Sequence, residues 1–258
     1  MTTIDAVILG IIEGITEFLP ISSTGHLILA STILGIPQNE FNKTFEIVIQ
    51  LGAILSVVFL YFERLKRDVE LWKRILAAFI PTGIIGFLLY KIIKHYLFNP
   101  YIVSVSLIVG GIIIILIEKM MKGLSDKKDI DISKLSYKQA VFIGIMQSLA
   151  TIPGTSRSAA TIIGGLFSGM DRKDAVEFSF LLAIPTMFAA TGYDLLKSGV
   201  YLEPNQWHLI AIGFVVSFFS ALVAVKSFIA FVSRFSFVGF GVYRIVVGIL
   251  FFLISLQV

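Results

Sequence analysis

Residues 13–26 read EGITEFLPISSTGH, two acids and a run of hydroxyls either side of Pro20, inside a stretch, 4–35, that is apolar at both ends. Proline removes a backbone donor and biases its predecessor away from helix, so this stretch reads as two half-helices around a non-helical tip. A second interruption, PGTSRS at 153–158, breaks the apolar stretch 137–167 in the same way. Irregular backbone is tolerated at membrane depth only where protein or a water-filled cavity surrounds it. Both stretches are therefore expected to be re-entrant helical hairpins.

The rest of the chain supports a membrane setting. Of its 258 residues 57% are hydrophobic and 15% charged, and the mean hydropathy is +0.92, outside the usual range of soluble domains. Six apolar runs, 44–62, 75–93, 101–119, 174–197, 208–228 and 238–256, approach the length of about 20 residues that a helix needs to cross. The expected fold class is all-α integral membrane, six transmembrane helices plus two re-entrant hairpins, with residues 1–258 as one membrane domain. Asp5 lies among apolar residues near the start, so the first segment reads as retained structure rather than a signal peptide. The absence of cysteine excludes disulfide and thiolate chemistry. The net charge of +4 reports topology rather than a nucleic-acid partner, which is excluded.

A re-entrant hairpin returns to the side it left, so only the six spans change sides. One face then collects Lys43, Lys91, Lys94 and Lys197, and the other all remaining basic residues except Arg157 and Arg244, which lie within hydrophobic segments. The positive-inside rule makes the basic face cytoplasmic and places both termini outside.

Laying 6–28 over 140–162 pairs Ala6 with Ala140, Val7 with Val141, Gly10 with Gly144, Ile11 with Ile145 and Ile28 with Ile162; a slip of one residue at the tip pairs Pro20 with Pro153 and Ser23 with Ser156. Each half, 1–120 and 137–258, is a hairpin plus three spans, joined by a polar linker at 121–136 expected in the cytoplasm. Three spans is an odd number, so the halves form an inverted-topology repeat. Their tips are expected to meet near the midplane, as broken helices do in folds of this kind.

The tips carry the chemistry. Glu13 and Glu17 are four apart and share a helix face, and two such buried acids repel unless a positive group joins them. A divalent cation, Mg²⁺ or Ca²⁺, is one candidate, since Mg²⁺ commonly takes one or two carboxylates and completes its shell with water and phosphate oxygens. Arg157 is the other, and simple pairing of the acids with Arg157 to hold the hairpins together is the structural alternative. Hydroxyls at Ser22, Ser23 and Thr24, and Gly154, Thr155, Ser156 and Ser158 in the second tip, cap half-helices whose free N–H groups suit an anion, phosphate above all. His26 follows Ser23 by three residues, so one helical turn brings its imidazole near that hydroxyl, as a base for serine attack requires. Matching Glu13 and Glu17, the second half has Gln147 and Thr151, so one hairpin supplies acids and imidazole and the other guanidinium. Buried Arg244 and Glu46 read as pairing or support groups, whereas Glu63, Glu118, His95 and His208 lie at span ends, where snorkelling suffices.

These motifs, with FEIVIQLGA at 45–53 and EFSFLLAIP at 177–185, closely resemble undecaprenyl-diphosphate phosphatases of the bacitracin-resistance type, and the resemblance spans most of the chain. It implies a bacterial inner-membrane enzyme that removes the terminal phosphate of undecaprenyl diphosphate, recycling the lipid carrier of cell-wall synthesis with the help of a divalent cation. Its functional positions fall here on Glu13, Glu17, Ser23, His26, Ser156, Arg157 and Thr161; from the residues alone Thr161 reads as packing. Ser23, activated by His26, is the expected nucleophile, with His26 or a metal-bound water as alternatives. A transporter or flippase for a phosphorylated lipid is the rival reading, set apart by the Ser23 and His26 pair, for which a carrier has no evident need. The homodimeric state is left open.

Overall fold

The computed structural model describes all residues except 38, 97–99, 122–130, 199–202, 204–205 and 257–258, and the side chains of 90–100 and 198. The centre of the linker and the side chains of Lys91, Lys94, His95, Lys122, Lys127 and Lys128 lie outside the described residues. Among the described residues there are eleven α-helices and no strand: α1 Thr3–Thr16, α2 Ser23–Ile33, α3 Glu40–Leu60, α4 Phe62–Arg67, α5 Val69–Tyr96, α6 Pro100–Met121, α7 Tyr137–Gln147, α8 Arg157–Phe167, α9 Arg172–Ser198, α10 Trp207–Val232 and α11 Val238–Ser255. Single 3₁₀ turns stand at Ile132–Lys134 and Ser148–Thr151.

Six helices, α3, α5, α6, α9, α10 and α11, are long and apolar enough to cross a membrane, one for each run read from the sequence. The chain is a multi-pass helical membrane protein. The helix ends differ from the apolar runs where local chemistry sets them. The second span starts at Val69 rather than 75 because Asp68 accepts from the Leu71 N–H at 2.8 Å and caps α5. Burial works against the ionised Asp68, but the Ser133 hydroxyl, the Leu71 N–H and the charges of Arg64 and Arg74 together hold its carboxyl below the usual range. The short helix α4, with Arg64, Lys66 and Arg67 in its last turn, has no apolar period to announce it. Glu118 is a correction: it is 2% exposed and paired with Arg172 rather than snorkelling, because α9 brings a cation to the end of α6. Glu63 does lie at the surface, paired with Arg67.

The two interrupted stretches are broken where the prolines require. With 14 residues in α1 and 11 in each of α2, α7 and α8, no piece reaches the length of a span. Both begin with a capping box, Thr2 with Asp5 and Ser136 with Gln139. Both resume behind a serine cap, Ser22 before α2 and Ser156 before α8. Their irregular backbone is wrapped in protein: α1 packs on α10, α7 on α5, α2 and α8 against α6, and α8 on α9. Phe18, wholly buried at the first break, meets Phe180 edge-on at 5.2 Å and joins the tip to the main apolar core.

Close backbone approach sets the seam between α7 and α5. A Cβ on Gly144 would overlap the Ala78 carbonyl, so α5 would have to move. Gly144→Ala is expected to destabilise the protein by about 1–3 kcal/mol through overpacking. Gly192→Ala, where a Cβ meets nothing within 4 Å, is expected to stabilise by up to about 1 kcal/mol through helix propensity. Thermal unfolding of the two variants in detergent should therefore shift in opposite directions; shifts of one sign would refute the close-approach account.

Candidate active site

At the first break Ser22 adopts φ 72°, the only non-glycine residue with positive φ among the described residues. Such a conformation costs on the order of 1–3 kcal/mol and persists only where neighbours over-determine it. Here the Ser22 hydroxyl accepts from the Gly25 N–H at 3.4 Å, while its carbonyl accepts from His26 Nδ1 at 2.7 Å. The reversal turns Ser23, the first residue of α2, back toward α1. Ser23 Oγ donates to Glu17 Oε2 at 2.6 Å.

The second break supplies the partner. Arg157, the first residue of α8, donates through Nη2 to Glu17 Oε1 at 3.1 Å and through Nη1 to the Ser179 carbonyl of α9 at 2.9 Å. One buried carboxylate thus joins a buried hydroxyl from one tip to a guanidinium, 10% exposed, from the other. The caps Ser22 and Ser156 occupy matching places, so the counterpart of Ser23 is Arg157. By cap position Ser22 compares with Ser156, one residue away from the pairing of Ser23 with Ser156 read from the prolines.

Three side-chain and backbone links hold the tips together. Ser158 Oγ donates to the Leu19 carbonyl at 2.7 Å, and Ser156 Oγ approaches it at 3.4 Å. Arg244 of α11, 1% exposed, donates to Pro20 O at 3.2 Å and Gly154 O at 2.9 Å, and to Leu107 O and Ser106 O on α6. Its partners are carbonyls rather than an acid, and it anchors both tips to one helix. Gly154, at φ 88°, has a conformation and a contact with Val103 that exclude a side chain.

Glu13 is 0% exposed, no donor among the described residues reaches either carboxylate oxygen, and its carboxyl lies within hydrogen-bonding reach of Glu17. Its charged neighbours are Glu17, Glu46 and Arg157. A carboxylate buried beside two others calls for a counter-charge. This orphaned acid fits a divalent cation, although no group of three or more His, Cys, Asp or Glu is placed to hold one among the described residues. A cation at Glu13 and Glu17 would complete its shell from water and phosphate oxygens.

His26 does not reach Ser23. Nδ1 is spent on the Ser22 carbonyl, and Nε2 lies 2.8 Å from Tyr243 Oη on α11. The turn that raises Ser23 toward Glu17 sends the imidazole toward α11, so the base within reach of the serine is Glu17. Thr161 bonds its own helix and the Ser179 hydroxyl, at 2.5 Å, and supports the turn of α9 that holds Arg157. Thr24 and Thr155 side chains make no hydrogen bond among the described residues. Glu46 accepts from Ser31 at 3.2 Å, a support role. Two contributors went unread in the sequence: Ser179, inside the EFSFLLAIP stretch, and Tyr243, beside Arg244. Neither residue type marks a site by itself; the helix positions facing Arg157 and His26 are their only signal.

A serine, a carboxylate and a guanidinium gathered from two broken helices define a polytopic membrane protein equipped to handle the phosphate group of a lipid. Residues 6–250 match the family described as Bacitracin resistance protein BacA, and the chain belongs to that family. It is similar to proteins named undecaprenyl-diphosphatase from Persephonella marina, 58% identical over 99% of this chain and 100% of that one, and from Sulfurihydrogenibium sp., 59% identical over 98% and 99%. The Aquifex aeolicus protein of the same name is 57% identical over 97% of this chain and 98% of its own.

Proposed function

We propose that this chain hydrolyses undecaprenyl diphosphate to undecaprenyl phosphate and inorganic phosphate. The observation that carries the reading is the Ser23 hydroxyl donating at 2.6 Å to Glu17, whose other oxygen is held by Arg157. Ser23 Oγ attacks the terminal phosphorus as its proton passes to Glu17. The bond from that phosphorus to the bridging oxygen breaks, and the lipid phosphate leaves with the bridging oxygen. Water then hydrolyses the phosphoserine, releasing phosphate and restoring the hydroxyl. Arg157 and the N–H groups at the starts of α2 and α8 bind the phosphoryl oxygens, where charge builds in the transition state. A divalent cation, Mg²⁺ or Ca²⁺, held by Glu13 and Glu17, would supply electrostatic neutralisation of that charge.

The same reading makes the broken stretches re-entrant hairpins of an inverted repeat. Support comes from the matched capping boxes and serine caps, and from α1 packing on α10 of the other half as α7 packs on α5 of the first. Both termini then lie outside the bacterial inner membrane, with the catalytic hairpin entering from that side. Bacitracin resistance, the property the family is described by, follows from the same activity.

Purified protein in detergent, given the lipid diphosphate and Mg²⁺, is expected to release phosphate and to accumulate phosphoserine at Ser23 under rapid quench. Ser23→Ala should lower turnover by about 10³-fold or more. Phosphohistidine, or no trapped intermediate, would remove Ser23 as nucleophile. No phosphate release alongside lipid movement across liposomes would favour a carrier.

A further inference from the structure

We infer that Tyr243 is a positioning residue for His26, fixing the imidazole through Nε2 while the Ser22 carbonyl fixes it through Nδ1. The inference rests on the hydrolase reading above.

In a neutral histidine the hydrogen bond made by one ring nitrogen sets the tautomer, and with it what the other nitrogen can do. A carbonyl only accepts, so the 2.7 Å contact with Ser22 O places a proton on Nδ1. Nε2 is therefore the nitrogen that can gain or lose a proton, and its partner is Tyr243 Oη at 2.8 Å. The rings also stack, 5.6 Å between centroids and 3° from parallel. A phenol both donates and accepts, so this contact survives in either protonation state of His26: Tyr243 donates to a neutral Nε2 and accepts from a protonated one.

The position of Tyr243 is itself determined. Arg244, the next residue, is locked to carbonyls of both tips and of α6, so this turn of α11 keeps register with Ser22 and His26. Neighbouring helical residues point about 100° apart. Arg244 faces inward, and Tyr243, 43% exposed, stands toward the outer side of α11. Loss of the hydroxyl frees the ring to turn away while leaving Ser23, Glu17 and Arg157 in place.

The test uses full-length protein in detergent, wild type and Tyr243→Phe, with ¹⁵N-labelled histidine and steady-state phosphate release. The chain has three histidines, so the His26 signals are assigned by a His26→Gln control. Wild type is expected to show the Nδ1–H tautomer with a hydrogen-bonded Nε2, and Tyr243→Phe a downfield move of Nε2. The kcat of Tyr243→Phe should fall about tenfold with KM within about twofold, the mark of an interaction used in turnover rather than in substrate binding. Tyr243→Ala, which also loses the stacking, should fall further. An unmoved Nε2 signal, an unchanged kcat, or a rise in KM alone each overturns the inference. Wild-type protein that releases no phosphate overturns the hydrolase reading instead, a failure visible before any variant is made.

Discussion

Replacing Arg157 by alanine should lower phosphate release by about 10³-fold, roughly 4 kcal/mol of transition-state stabilisation, in line with the loss of a charge-stabilising arginine in phosphoryl transfer. The more informative variant is Arg157→Lys. Lysine keeps a positive charge beside Glu17, so the buried carboxylate is not abandoned and the fold is spared the penalty of a broken ion pair. What it lacks is the planar fork. Arg157 uses Nη1 on the Ser179 carbonyl and Nη2 on Glu17 at the same time, while Nε has no partner among the described residues. An ammonium is a single point of charge and cannot hold both partners and turn further donors to a phosphate. Arg157→Lys should therefore still lose about 10²-fold in kcat/KM, with unfolding temperature close to wild type. Activity of Arg157→Lys within a few-fold of wild type would mean that charge alone suffices, and the bridging role given to Glu17 would fall.

How far the sequence could be read follows from which forces set each feature. Spans were legible because a long apolar run has few alternatives in lipid, and the breaks because Pro20 and Pro153 remove donors from helices that need them. The presence of Glu13, Glu17 and Arg157 in one site was legible too, since buried charge seeks its opposite. The pairing of Ser23 was not. A spacing of three residues puts His26 near Ser23 on a regular helix, but Ser22 at positive φ starts α2 in a direction that spacing does not encode. Pairing Pro20 with Pro153 presumes matching turns, whereas the serine caps Ser22 and Ser156 mark where each helix resumes. Glu118 could be placed only by knowing that α9 begins beside the end of α6.

Arg244→Met should cost about 3–5 kcal/mol, the range for stripping the partner from buried polar groups, and lower the unfolding temperature by about 10 °C. The reason lies in what the guanidinium replaces. The carbonyls of Pro20 and Gly154 sit in non-helical backbone where no ladder bond reaches them, and in lipid no bulk water can take over. Gly110 on α6 makes the room for this, because a Cβ there would overlap the guanidinium. A double-mutant cycle isolates that relation. Gly110→Ala alone should destabilise by about 1–3 kcal/mol by displacing the guanidinium, yet be nearly neutral in the Arg244→Met background, where nothing remains to displace. Additive costs would show that Gly110 is small for some other neighbour, and that Arg244 does not hold the two tips in the manner described.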